Sequence, residues 1–218
     1  HGGGKDGLKG VKMTLPENSL TAIVCESGSV KSACVSLLMG AIRANSGEVT
    51  VGGTPIGELD RADYYSHLGI VSYNTYIFND SVRNNFLMYS PRATDEQMYE
   101  ALKEVNLDKF IREEGGLDKV ISEDGVNISG GQRQRLALAV NLLADKSVYI
   151  FDEATSNIDG ESEALIMDGV KKLSRRAAVV LISHRMANVT CPDNNYLLDG
   201  GKAAQSGTHA TPYQKGGL

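Results

Sequence analysis

The sequence lacks long apolar runs, a basic surface and any cysteine spacing typical of a disulfide framework or a metal site. No window approaches the ~18 consecutive apolar residues that indicate a membrane-spanning helix, and the longest apolar runs, such as residues 177–182, have the length of a strand. The net charge of -5 argues against a nucleic-acid-binding protein. The three cysteines (Cys25, Cys34 and Cys191) show neither pairing nor metal-ligand spacing, which indicates a reducing compartment.

Targeting signals are missing as well. The chain carries no signal peptide, internal repeat or low-complexity segment, and it does not begin with methionine. We interpret residues 1–4 as a loop or an expression remnant, and we therefore expect an excised domain. The 218 residues, 41% of them hydrophobic, suffice for one large domain or for a domain with an inserted subdomain.

Two candidate carboxylates follow a short apolar run at residues 148–151. This run is rich in β-branched and aromatic side chains, and it ends abruptly in Asp152 and Glu153. Such a run predicts a buried parallel strand, and open α/β sheets place their ligand chemistry at the carboxyl ends of these strands. We therefore predict that Asp152 and Glu153 lie at the functional edge of a sheet.

A glycine-rich helix start precedes this strand by about twenty residues. Small residues at a helix start expose backbone N–H groups, which favours an anion site. Taken singly, the two segments are compatible with a glycine-rich turn and a core strand. Together, in this order and spacing, they closely resemble the signature and Walker B motifs of ATP-binding cassette (ABC) ATPases. The signature residues are Ser129, Gly130, Gly131 and Gln132.

The segment 20–42 has the pattern of a phosphate-binding loop. A buried strand predicted at 20–24 is followed by the residues Cys-Glu-Ser-Gly-Ser-Val-Lys-Ser and by a helix predicted at 33–42. In such a loop the N–H groups cradle phosphates, Lys31 neutralises charge and the Ser32 hydroxyl binds Mg²⁺. A strand-to-helix loop without a ligand is the alternative that the pattern leaves open, and the resemblance around it favours the phosphate loop.

Several residues depart from the phosphate-loop motif. The motif G-x-x-x-x-G-K-[ST] needs glycine where this chain has Cys25 and Val30. Glycine there serves a positive φ or a close approach of the backbone to the nucleotide. A positive φ would cost the β-branched Val30 on the order of 1–3 kcal/mol, and the alternative is a loop that relaxes to avoid this strain, so that its N–H groups no longer converge on the phosphates. Ala33 and Tyr73 stand where ABC proteins carry a threonine and a Mg²⁺-binding glutamine.

The resemblance to the nucleotide-binding domain of an ABC exporter implies a role for each matching residue. It implies that Glu153 is the general base for the attacking water and that Asp152 holds the Mg²⁺ shell through water. A lone histidine is more often structural, but the place of His184 beyond the next strand matches the family's histidine that orients the γ-phosphate. The nucleotide-binding residues would be Ser27, Gly28, Ser29, Val30, Lys31, Ser32 and Ala33. The residues acting on a partner's ATP would be Ser129, Gly130, Gly131, Gln132 and the D-loop residue Asp159.

The implied fold is α/β, with a P-loop NTPase-like, mainly parallel sheet flanked by helices, an inserted helical subdomain and a small antiparallel β portion. One domain would cover residues 1–218, with its core at 5–73 and 145–218 and the helical subdomain at about 74–144. The family's first strand, with the aromatic that stacks on adenine, is expected to be absent. The helices and strands that we predict besides those above are a strand at 8–15, a helix at 60–68, a strand at 69–72, helices at 81–88, 94–105, 108–113 and 161–174, a strand at 177–182 and a hairpin at 195–205.

By resemblance, the chain binds and hydrolyses ATP, with Mg²⁺ as cofactor, to drive export through the transmembrane domains of an ABC exporter. Two such domains, identical or different, would pair head to tail at the cytoplasmic face of the membrane. Each ATP would lie between one phosphate loop and the other domain's signature. The fragment itself is expected to be soluble. Glu123 is either the residue that contacts the membrane domains or part of an ordinary solvated loop.

The position of the departures suggests a competing hypothesis. Cys25, Val30, Ala33 and Tyr73 surround this chain's own nucleotide, whereas the residues given to a partner match the family. The chain would then be a catalytically weak or inactive half that completes a partner's ATP site, or its sequence would be engineered or altered. A soluble ABC protein acting on DNA fits poorly, because the chain is acidic and lacks a basic stripe.

Overall fold

The computed structural model describes residues 7–25, 28–72, 76–122, 127–156, 158–184 and 192–208, with the backbone alone for residues 29 and 204–208. The strands are β1 (Ser19–Cys25), β2 (Thr50–Val51), β3 (Thr54–Pro55), β4 (Leu68–Ser72), β5 (Val148–Asp152), β6 (Ala178–Ser183), β7 (Asn194–Asp199) and β8 (Lys202–Thr208). The helices are α1 (Gly28–Leu38), α2 (Arg61–Ser66), α3 (Val82–Tyr89), α4 (Asp95–Glu104), α5 (Asp108–Glu113), α6 (Gly130–Leu143) and α7 (Gly160–Leu173).

A six-stranded sheet with the strand order β4-β5-β6-β1-β7-β8 forms the centre of the molecule. Neighbouring strands from β4 to β7 run parallel, and β8 runs antiparallel to β7 as the second arm of a hairpin. A separate antiparallel pair joins β2 and β3. The predicted fold, a mainly parallel sheet with helices and a small antiparallel portion, is confirmed.

The sheet separates two hydrophobic cores because successive side chains of a strand point to opposite faces. In β5, Tyr149 and Phe151 belong to the larger core, which also contains side chains of α3, α4, α5, α6 and α7. Ile150 belongs to the smaller core, which it shares with side chains of α1. The central strands are therefore covered on both faces, as their continuous apolar sequences predicted.

Polar side chains fix the starts of the predicted helices. Ser81 accepts a hydrogen bond from the N–H of Asn84 at the start of α3. Thr94 and Gln97 form a reciprocal capping box at the start of α4. The predicted helices and strands from residue 60 onward are present within a few residues of their expected limits. The division into a core and a helical subdomain stays a prediction.

The prediction of a strand at 8–15 was wrong. The structure assigns no strand to these described residues, although Leu8, Val11 and others pack against the smaller core. Lys9 N–H donates to the carbonyl of Gly201 at 2.7 Å, and the N–H of Thr14 donates to the hydroxyl of Tyr196 at 3.1 Å. The alternating apolar residues do give this segment a buried face. However, these two N–H groups donate to a turn carbonyl and to a side chain, and not to the backbone of a neighbouring strand.

Of the two alternatives for Val30, the strained backbone with a positive φ is excluded. Helix α1 begins at Gly28, so Val30 has a helical backbone, and it is not among the non-glycine residues with a positive φ. Its side chain is 1% exposed and packs in the smaller core beside Cys25 and Cys34. Burial of an apolar side chain stabilises the first helical turn in this position, and the helix removes the need for a left-handed backbone.

The far end of α1 also differs from the prediction, because the helix ends at Leu38 and not at residue 42. Gly40 follows with a φ of 64°, a left-handed conformation that suits a glycine just beyond a helix. Within the described part of the chain, no helix has the length and apolarity that a membrane span requires.

Replacing Val30 by glycine tests the packing of α1. We expect Val30→Gly to lower the free energy of unfolding by about 2–4 kcal/mol, because it removes a buried side chain and adds a helix-interior glycine. Urea denaturation followed by circular dichroism measures the change. Val35→Gly is the control, since Val35 is half-buried in the same helix and loses less packing. A Val30→Gly protein as stable as the wild type would restore the idea of a strained valine.

Candidate active site

The parallel strands bring the predicted catalytic side chains to one edge of the sheet. Asp152 is the last residue of β5, Glu153 follows it, and His184 follows the end of the neighbouring strand β6. On the other side of β6, strand β1 leads into α1, which carries Lys31. Side chains that are far apart in sequence therefore meet where three parallel strands end.

Lys31, Glu153 and His184 form a connected cluster. The Lys31 Nζ lies 2.5 Å from Glu153 Oε1 and 4.0 Å from Asp152 Oδ1. The His184 Nδ1 lies 2.9 Å from the same Glu153 oxygen. The hydrogen bond from Lys31, supported by that from His184, holds the pKa of Glu153 below its usual value. An ionised carboxylate is an acceptor alone, so Nδ1 of His184 carries the proton in this bond.

The backbone of Glu153 adopts a left-handed conformation with a φ of 52°. The other non-glycine residues with a positive φ are asparagines and an aspartate, which tolerate this region far better. Hydrogen bonds hold the conformation: Glu153 N–H donates to the carbonyl of Ile182 at 3.0 Å, and its own carbonyl accepts from Ser156 N–H at 2.9 Å. Backbone strain of this kind is typical of functional sites.

Asp152 differs from its neighbour in electrostatics. Burial raises the pKa of Asp152 above its usual value, and the Lys31 ammonium offsets this in part. Its Oδ1 is buried without a hydrogen-bond partner. An anionic oxygen left in this state suits a divalent cation or its water shell, so the residue fits Mg²⁺.

The Ser32 hydroxyl, predicted to bind Mg²⁺, donates to the carbonyl of Gly28 at 3.0 Å. This bond closes a helical turn, and the hydroxyl oxygen keeps its acceptor capacity. Among the described residues, no three His, Cys, Asp or Glu side chains gather as metal ligands. Mg²⁺ is commonly held by one or two carboxylates together with phosphates and water, so the side chains of Asp152 and Ser32 are a sufficient protein contribution.

Two thiols lie beneath the phosphate-loop segment. Cys25, the last residue of β1, and Cys34 in α1 are both buried and free. Burial raises the pKa of Cys25 to about 11 and that of Cys34 to about 12. Both thiols are therefore neutral near pH 7, and they act as small apolar side chains and not as nucleophiles.

The signature residues form the start of α6. The Ser129 hydroxyl accepts from Gln132 N–H at 3.1 Å, and the Gln132 side-chain oxygen accepts from Ser129 N–H at 2.8 Å. This capping box satisfies two backbone donors. The hydroxyl proton of Ser129 and the N–H groups of Gly130 and Gly131, which have no partner inside a helix at these positions, are the donors left for an anion.

The D-loop residue Asp159 caps the neighbouring helix α7. It accepts a hydrogen bond from the N–H of Ser162 at 2.8 Å, and bonds from the backbone and hydroxyl of Ser162 lower the pKa of Asp159. A Cβ added to Gly131 would lie 2.5 Å from the Ser162 Oγ and 3.2 Å from Asp159 Oδ2. The starts of α6 and α7 are therefore in direct contact.

The predicted site residues thus fall into two groups: the cluster around Glu153, and the capped starts of α6 and α7. The Val30 side chain, predicted to line the nucleotide, is buried in the core. Ala33 is a half-buried residue of α1. The backbone of Ser29 belongs to the same helix. Ser27, Tyr73 and Glu123 lie outside the described residues.

Sequence reasoning missed two features. The first is the ion pair of Lys31 with Glu153, which joins positions more than a hundred residues apart. The second is Ser162, which is buried between the signature and the D-loop. A polar residue three positions after the helix-capping Asp159 was the available signal for Ser162, and nothing local indicated its contact with Gly131.

A family model and individual known proteins are similar to this chain in sequence. The family model described as ABC transporter matches residues 8–156. An uncharacterised ABC transporter ATP-binding protein of Haemophilus influenzae is 43% identical over 213 residues, which make up 98% of this chain and 38% of that protein. An ATP-dependent lipid A-core flippase of Francisella tularensis is 35% identical over 213 residues, or 97% of this chain and 35% of that protein.

A solved structure is similar as well. The structure of a bacterial Atm1-family ABC exporter with ATP bound superposes with a TM-score of 0.84 at 28% sequence identity, covering 93% of this chain and 36% of that one. The chain thus spans well under half the length of each of these proteins.

The opposite electrostatics of Asp152 and Glu153 predict opposite effects of removing their charges. Asp152→Asn should raise stability near pH 7 without Mg²⁺, because the folded state raises the pKa of this carboxyl and so disfavours its charged form. Glu153→Gln should lower stability by roughly 1–2 kcal/mol, because it breaks the bond to Lys31. Urea denaturation at several pH values measures both changes.

The pH dependence distinguishes the two effects. The gain from Asp152→Asn is complete above the raised folded pKa of Asp152 and disappears below its unfolded pKa of about 3.9. The loss from Glu153→Gln is complete above the unfolded pKa of about 4.3 and disappears as the pH falls through the depressed folded pKa. Changes of the same sign in both variants at pH 7 would contradict the assigned electrostatics.

Proposed function

The chain belongs to the ABC transporter family, and on this basis we propose that it binds and hydrolyses ATP to power export by a membrane-embedded transporter. The observation that carries the proposal is the cluster of Lys31, Asp152, Glu153 and His184 at the carboxyl edge of β5 and β6. The ATP-dependent flippase and the ATP-bound exporter among the similar proteins support it.

Glu153 is the proposed base for the attacking water. Its carboxylate takes one proton as the water oxygen bonds to the γ-phosphorus, while the bond from that phosphorus to the bridging oxygen of ADP breaks. The His184 Nδ1–H, bonded to the same carboxylate, orients it. A bond from His184 to the γ-phosphate would need a proton on Nε2 as well, because phosphate oxygens are acceptors. Mg²⁺, held by Asp152 and Ser32, would neutralise phosphate charge.

Lys31 has two competing partners in this scheme. Without a nucleotide, its ammonium neutralises Glu153 at 2.5 Å in a pocket where both side chains are 17% exposed. A triphosphate carries more negative charge than one carboxylate and draws the ammonium away from it. ATP binding would thus release Glu153 from its cation and raise its basicity for the proton transfer.

The capped start of α6 is proposed to act on the ATP of a second nucleotide-binding domain. The Ser129 hydroxyl and the N–H groups of Gly130 and Gly131 point out of a 14-residue helix whose dipole favours an anion there. Gln132 stabilises this start through its capping bond, and Asp159 lies next to it. The domain would work in a head-to-tail dimer, attached to transmembrane domains at the cytoplasmic face of the membrane.

A second candidate function is a catalytically weak half that completes a partner's ATP site. The winding of α1 from Gly28 favours it, since Val30 is buried and the Ser32 hydroxyl is turned back to Gly28. By contrast, Ser129 and Gln132 of the signature form a complete capping box at the start of α6. Turnover by this chain alone, measured with Mg-ATP, separates the candidates: an active chain supports the first, and activity that appears when a phosphate-loop-competent partner domain is added supports the second.

Glu153→Gln tests the chemical step. Turnover should fall at least about a hundredfold, because a general base typically contributes that much or more. ATP binding should stay equal or become tighter, since Lys31 no longer has a carboxylate to neutralise. Steady-state phosphate release and calorimetric titration with Mg-ATP measure the two effects. Near wild-type turnover in the variant would remove Glu153 as the base.

Ser129→Arg tests the trans-acting signature, with Thr94→Arg as its matched control. Both residues cap a helix through a capping box with glutamine, so each change should cost about 1 kcal/mol of stability. We expect Ser129→Arg to abolish ATP-dependent dimerisation with a competent partner domain, because a large cation fills the proposed phosphate contact. Light scattering measures the dimer. An equal loss of dimer in both variants would show that the loss comes from the broken helix cap and not from a phosphate contact at Ser129.

A further inference from the structure

Ser162 is a buried residue in the first turn of α7, with a side chain placed between two motifs. It is 4% exposed, and its N–H donates to Asp159 Oδ1 at 2.8 Å. The proposed hydrolysis mechanism gives this serine no role, because it contacts neither Lys31 nor Glu153 in the described interactions.

The same hydroxyl rests on the signature. The position that a Cβ of Gly131 would occupy is 2.5 Å from Ser162 Oγ and 3.0 Å from Ser162 Cβ. Contacts this short mean that any side chain at position 131 would force Ser162 to shift. Asp159 Oδ2, 3.2 Å from the same point, completes the contact.

We propose that Ser162 is a positioning residue that joins the signature to the D-loop. Its N–H holds the Asp159 carboxylate and its hydroxyl packs on Gly131, so that both motifs meet the partner's nucleotide as one rigid surface. The inference rests on the proposed function, because that function makes both motifs act on a second domain. Neither motif is then free to adjust on its own when ATP draws two domains together.

The far end of the same helix pair offers a comparison. Ser174, 6% exposed, caps the end of α7 with a hydroxyl that donates to the Lys171 carbonyl at 2.9 Å. Gly169 packs on α6, and an added Cβ would lie 2.8 Å from Leu138 Cδ2. This serine and glycine are buried as deeply, yet they lie far along α7 from the signature. Variants at these two positions therefore measure how much the packing of α6 against α7 contributes to association, apart from the signature and the D-loop.

The experiment measures ATP-dependent association with a phosphate-loop-competent partner domain, by light scattering over a range of concentrations. Ser162→Ala is compared with Ser174→Ala, and Gly131→Ala with Gly169→Ala. We expect Ser162→Ala to raise the dissociation constant of the ATP-bound dimer about tenfold, and Ser174→Ala to change it by less than about twofold. Urea denaturation of each variant shows that it is folded. Binding of ATP to the chain alone should stay within about twofold in both serine variants.

A double change tests the contact itself. Ser162→Gly removes the Cβ and the hydroxyl, so it should relieve the clash in Gly131→Ala, and the pair should lose less stability than the sum of the single changes. Equal association of the Ser162→Ala and Ser174→Ala proteins, or additive stability losses, would overturn the positioning role. If the wild-type chain itself does not associate with ATP present, the proposed function fails first, and the positioning role with it.

Discussion

Parallel pairing of β5, β6 and β1 is the constraint on which the functional edge depends. Because these strands run in one direction and in register, their carboxyl ends lie side by side, and the residues that follow them meet. Glu153 follows β5, His184 follows β6, and Lys31 lies on the helix that follows β1. An antiparallel arrangement of the same segments would send one of these groups to the opposite edge.

The groups suited to phosphate already have internal partners in this structure. Lys31 neutralises Glu153, the Ser32 hydroxyl bonds to Gly28, and Ser129 shares a capping box with Gln132. Each of these bonds satisfies a polar group that would be costly to leave unpaired in a partly buried place. Under the proposed function, a nucleotide therefore has to compete with these internal bonds. Asp152 is the exception, since its buried oxygen has no hydrogen-bond partner.

Two departures from the phosphate-loop motif, Cys25 and Val30, lie where α1 packs on the sheet. Cys25, Val30 and Cys34 together form part of the smaller core, and their burial stabilises a helix that starts at Gly28. The residues that a phosphate loop would use are therefore part of the first turns of α1. Under the proposed function, fold stability and nucleotide binding would thus compete at α1.

The sequence by itself determined most of the secondary structure and the residues at the sheet edge, because strand periodicity, helix caps and motif spacing are local signals, whereas the fold class followed from the resemblance to ABC domains. Asp152, Glu153 and His184 could be predicted to lie at the same edge for this reason. What only the tertiary structure decided was the backbone of Val30, the ion pair of Lys31 with Glu153 and the contact of Gly131 with Ser162. Each depends on which surface packs against the residue, and packing between distant segments leaves no periodicity in the chain.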